Sequence, residues 1–161
     1  MNDELSPPLR HARANPHGCC HVLCNPRAGK KPRRNQAILD YKLSMPRANQ
    51  LLSAIGPMSK YVASLPDLQE RMARAAKKTL AERIVDVEND PKAMAILKQN
   101  NLTARDYIVG VPALRQAIWL ASGRNAPGLA ASPANLAFAK ANLAQLKPRM
   151  DAADGMSSPR K

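Results

Sequence analysis

Four residues near the N-terminus carry the side chains best suited to chemistry. His17, Cys20, His21 and Cys24 recur at i, i+3, i+4 and i+7, one stripe of a helix. Imidazole and thiolate are good zinc ligands, but the context is poor. Gly18 lies inside the stripe, and Pro16 and Pro26 flank it closely. Four ligands on one short helix cannot easily surround a metal tetrahedrally, and closed sites draw their ligands from two elements. The reading preferred over a metal site is therefore a coincidental cluster in a tail. Covalent haem attachment fares worse. It needs Cys-x-x-Cys-His, and His17 stands where the first cysteine belongs. No cofactor is expected. Cys19, Cys20 and Cys24 are odd in number and adjacent, so they are no disulfide framework.

The second candidate is cationic. Arg27, Lys30, Lys31, Arg33 and Arg34 place five cations within eight residues. Such a run can pair with phosphates and release counterions, or enter a minor groove as a basic arm. It has no aromatic side chain for base stacking, and no recognition helix is evident. Contact with nucleic acid or an anionic surface through these residues is the alternative reading of function. Steeply salt-dependent binding to non-specific DNA would favour it.

The remaining inventory disfavours catalysis. Beyond residue 40 the chain has neither His nor Cys, so the usual general base and thiol nucleophile are missing there. Most carboxylates beyond that point fall at helix starts or polar positions: Asp67, Glu82, Asp90 and Asp106 read as caps or first-turn acids. Gly29-Lys30 lacks the preceding strand and glycine spacing of a phosphate loop.

The elements that must position any site are helical. Of 161 residues, 45% are hydrophobic but only 3% aromatic, so Ala, Leu, Met and Ile must fill the core. These residues suit helix packing better than a sheet. Ser44 can cap a helix with Pro46 in its first turn. Leu51, Leu52, Ile55, Met58, Tyr61, Val62 and Leu65 follow at helical spacing, and Gly56-Pro57 is expected to kink or split the run. A second helix is expected near Pro66-Asp67. Leu68, Met72, Ala75 and Ala76 give it a narrow apolar face, and Arg71, Arg74, Lys77 and Lys78 a basic, solvated one.

Thr79 and Glu82 form a capping-box pattern that opens a short helix. Asp90-Pro91 starts another, which Asn100-Asn101 ends. Thr103 and Asp106 start a third, with Pro112 inside it; Tyr107 and Trp119 lie on its apolar stripe and read as core. After a loop over 122–131, Ser132-Pro133 opens the last helix, which Pro148 should stop. The fold class predicted is all-α, a small bundle of five or six short helices.

From Thr79 onward the order of features is distinctive. Leu102-Thr103-Ala104-Arg105-Asp106-Tyr107 is followed by Ser132-Pro133-Ala134-Asn135-Leu136-Ala137-Phe138 and Ala141-Asn142. In this the chain resembles a group of small helical proteins of Gram-negative bacteria. Their pattern is a "Leu-Thr-x-Arg-Glu-Tyr" turn and then a "Pro-x-Asn-x-x-Phe" helix. The resemblance covers residues 44–150. It implies a secreted or periplasmic protein and carries over no catalytic residue or ligand.

Residues 1–43 are expected to be a disordered tail. Through residue 40 they show no apolar periodicity, yet hold five prolines and every His and Cys. Two origins stay open: a divergent native tail, or a mis-assigned start in a translated non-coding frame. No apolar leader or membrane span is evident. The chain as written reads as cytoplasmic; the resemblance together with a mis-assigned start would make it extracytoplasmic. Residues 44–150 are the expected helical domain, and 151–161 a frayed end. The net charge of +13 is spread along the chain and attracts anionic partners in general. The function expected is a non-catalytic interaction or structural protein, with a protein or an anionic surface as partner.

Overall fold

The structure, a computed structural model, describes residues 34–157. It is all-α, with eight helices and no strand among the described residues: α1 (Arg34–Asp40), α2 (Met45–Ala63), α3 (Leu68–Lys77), α4 (Leu80–Glu88), α5 (Pro91–Gln99), α6 (Ala104–Ala121), α7 (Pro133–Ala141) and α8 (Leu143–Ser157).

The punctuation expected from the sequence is present in atomic detail. Ser44, Thr79, Asp90, Thr103 and Ser132 each accept a backbone N–H in the first turn of the helix that follows. Thr103 and Asp106 complete a reciprocal capping box, with Asp106 also accepting from the Thr103 N–H at 3.1 Å. At the end of α5, Asn101 takes the left-handed conformation with φ 53°. The Leu102 N–H then reaches Leu97 O at 2.9 Å, and the Asn101 N–H reaches Lys98 O at 3.0 Å. This is a Schellman turn, and the buried Leu97 and Leu102 are its apolar contact. Asp67 departs from expectation. It precedes α3 at φ 55° and its side chain makes no capping bond.

α2, α5, α6 and α8 enclose the main core, where Leu51, Ile55, Leu97, Leu114, Leu146 and Met150 are buried. This burial overrides two local signals. Pro57 and Pro112 lie inside unbroken helices, so Gly56-Pro57 does not split α2. Pro148 does not stop the last helix, because Met150 and Ala153 beyond it are buried. The break falls instead at Asn142, whose side chain returns to Phe138 O at 2.8 Å and separates α7 from α8.

Helical order also begins before Ser44. Ile38 of α1 packs on Val109 and Ala113 of α6. Tyr41 follows, and Gly110 makes room for it. A Cβ at Gly110 would stand 2.8 Å from the Tyr41 ring. The Tyr41 hydroxyl donates to Asp106 Oδ1 at 3.2 Å. Burial, and then the Asp106 charge, push that phenol well above its ordinary range.

Candidate interaction cleft

His17, Cys20, His21, Cys24, Arg27, Lys30, Lys31 and Arg33 lie outside the described residues. Arg34 opens α1, but its side chain lies outside the description too. No group of three His, Cys, Asp or Glu converges among the described residues. No described helix is long and apolar enough to cross a membrane. Tyr107 packs against the main core, and burial lifts its phenol to about 12. Trp119 is half-buried between the guanidinium groups of Arg115 and Arg124, at 6.0 and 5.9 Å from its ring.

A concavity lies elsewhere. α3 follows Pro66 and has no buried residue; only Leu68 and Ala75 of it are half-buried. Between it and the ends of α2, α4 and α5 opens a cleft of about 1120 Å³. Met58, Val62, Leu65, Leu68, Met72 and Val87 are among its apolar lining. Arg71, Arg74, Lys78, Arg83 and Lys92 bring cations to it, against the carboxylates of Asp86 and Asp90. Lys78 Nζ grips Asp86 at 2.6 Å and ties the end of α3 to α4. Arg74 pairs loosely with Glu70 at 3.6 Å, both well exposed.

The large hydrophobic residues exposed among the described ones belong to this region. They are Val62 at 38%, Met72 at 63% and Val85 at 50% exposure. Val62 and Met72 line the cleft; Val85 lies on the adjoining α4. The sequence did mark α3 by its narrow apolar stripe. What it could not give was that the stripe stays uncovered by the bundle.

One polar pair inside the cleft needs a chemical reading. The Tyr61 hydroxyl donates to Asp90 Oδ2 at 2.6 Å. That bond raises the phenol above its ordinary value. At Asp90 burial pushes the carboxyl up, but the bonds from Tyr61, Ala93 N–H and Lys92 N–H, with the nearby Arg71 charge, outweigh it and hold the carboxyl low. The two groups are thus driven apart: the phenol keeps its proton and the carboxylate stays ionised. Neither is poised near neutrality, as a proton-transfer couple would need to be.

The pair instead fastens α5 to α2, and this has a measurable consequence. Asp90→Ala is expected to cost about 1–2 kcal/mol, the usual range for a lost helix cap. The folded pKa is depressed, so the contribution is fully present above the unfolded value near 3.8. It is lost as pH falls through the folded value. Urea unfolding of parent and variant should differ at neutral pH and converge in acid. A constant gap down to the lowest pH would contradict the assignment.

No protein family, curated protein or solved structure matches the chain.

Proposed function

We propose that the chain is a non-catalytic interaction protein whose contact surface is the α3–α4 region with its cleft. One observation carries the reading: the exposed Val62 and Met72 line one cleft together, beside a helix, α3, that has no buried residue. Apolar surface gathered beside a polar rim is the usual mark of a contact site. Only Leu68 and Ala75 of α3 are half-buried, so the bundle contributes little to a ten-residue helix that is marginal alone. The Tyr61–Asp90 pair supports the non-catalytic side of the reading, since its proton is fixed.

An anionic apolar dye, anilinonaphthalene sulfonate, tests whether the cleft accepts a guest. Dilute protein is expected to enhance its emission. Met72→Glu should remove most of that enhancement while leaving the melting temperature unchanged, because the side chain is mostly solvated. Arg105→Glu, an exposed change outside the cleft, controls for general attraction to a basic protein. Equal emission from the parent and the Met72 variant would sink the reading.

A further inference from the structure

We infer that the partner at this surface is an acidic amphipathic helix of another protein, seated in the cleft with its apolar face inward and its carboxylates against the α3 arginines. The inference rests on the reading of the cleft as a contact site and names the occupant.

The lining of the cleft carries it. α2 and the turn after it contribute Met58, Tyr61, Val62 and Leu65, at i, i+3, i+4 and i+7, and no charged side chain. α3 interleaves two kinds of residue: Leu68, Met72 and Ala75 alternate along it with Arg71 and Arg74. Lys78, Arg83 and Lys92 also line the cleft, so five cations face two carboxylates. Both carboxylates are already engaged. Asp86 is held by Lys78, and Asp90 by Tyr61 and the first N–H groups of α5. Arg71 and Lys92, by contrast, make no ion pair among the described residues, and Arg74 has only the exposed Glu70.

An occupant must therefore offer carboxylates beside apolar side chains, turn after turn. An amphipathic helix with an acidic flank does this, since its apolar residues recur every three or four positions. A single-chain lipid has one charged end, whereas the cations here recur along α3, a helix about 15 Å long. A nucleic acid would meet the cations but leave Val62 and Met72 against a hydrophilic backbone. The other segments of this chain carry the wrong charge. Residues 1–33 hold six cations and two carboxylates, and residues 158–161 two cations and no carboxylate side chain. Met58 and Met72 suit a groove that accepts a helix, because an unbranched side chain adapts to the shape it meets.

Fluorescence anisotropy of a dye-labelled peptide against the full chain, kept reduced, decides the matter. The probe is a designed helix of about four turns, with Leu at i, i+3, i+4 and i+7 and Glu between them. It is expected to bind, to gain helicity on binding, and to weaken with salt. The same residues in scrambled order keep the charge but lose the apolar stripe. That peptide should bind about tenfold more weakly, since even one Leu left unburied forfeits as much. Arg71→Glu and Arg74→Glu should each weaken the intact peptide about tenfold, as expected for close charges across an interface. Met72→Glu should abolish its binding. Arg105→Glu makes the same change in net charge outside the cleft and should leave binding within about twofold, because screening confines the effect of a distant charge. All four positions are exposed, and unchanged melting curves establish that the variants are folded. No binding of the intact peptide overturns the inference. So does equal binding of the scrambled peptide, or indifference to the two cleft arginines. If oleate or single-stranded DNA binds in a Met72-dependent way and the peptide does not, the contact surface stands and only its occupant is wrong. If neither the dye nor the peptide responds to Met72→Glu, the contact surface itself falls.

Discussion

Asn135→Ala is expected to lower the stability of the domain by about 3 kcal/mol, near the top of the range for a buried polar group whose partners are left unmet. Asn135 is the one buried polar residue among those described, at 3% exposure. It sits in the first turn of α7, where its backbone N–H donates to Ser132 Oγ at 3.2 Å. Its side chain reaches across the molecule. Nδ2 donates to Tyr41 O at 2.6 Å, and Oδ1 accepts from Leu43 N–H at 3.1 Å. Both bonds land on the extended link between α1 and α2, which has no helical ladder of its own. Alanine would strand both backbone groups and leave a small void.

Thermal unfolding followed by circular dichroism should therefore shift by roughly 10 °C for a chain of this length. Asn135→Asp should be no better, because a carboxylate oxygen would then face the Tyr41 carbonyl. A second readout is the Tyr41 phenol. Its titration is raised by burial and by Asp106, and should fall back toward the ordinary range as α1 loosens. A loss below about 1 kcal/mol would mean that water replaces the clamp at little cost.

Asn135 also shows where the sequence stops being informative. The caps that start helices were legible: Ser44, Thr79, Asp90, Thr103 and Ser132 announce their helices by residue type and spacing. The bond from Asn135 to Leu43 spans 92 residues, and nothing local marks it. The same reason hides α1. Ala37, Ile38 and Leu39 are too few to show a period, and Ile38 is fixed by Val109 and Ala113, far along the chain. Pro148 errs in the other direction, as does the split offered at Gly56-Pro57. Proline costs a helix about 3 kcal/mol locally, which burial of neighbouring side chains can offset. The cleft was half legible. Composition marked α3 as basic with a thin apolar stripe, but only tertiary structure could leave that stripe uncovered. Asp90 was legible as a cap and illegible as the partner of Tyr61.

Met150→Ala should cost about 3 kcal/mol, within the usual range for truncating a buried methionine. The sequence places this residue two positions past a proline, at the edge of an expected frayed end. In the structure it is fully buried, and it shares the main core with Leu146 and Ala153. α8 is held from both sides there. Arg149 Nη1 donates to Asn49 of α2, and Arg115 of α6 pairs with Asp154 at 2.5 Å. Met150→Leu keeps the volume and should cost less than about 1.5 kcal/mol. The comparison that isolates burial is Met72→Ala, the same chemical change at a side chain 63% exposed, which should be nearly neutral. Urea unfolding of the three variants at one temperature gives the ranking. If Met150→Ala proved as mild as Met72→Ala, α8 beyond Pro148 would not be part of the core. If it proves severe, the core extends past the proline, because total stabilities of about 5–15 kcal/mol leave little room for such a loss elsewhere.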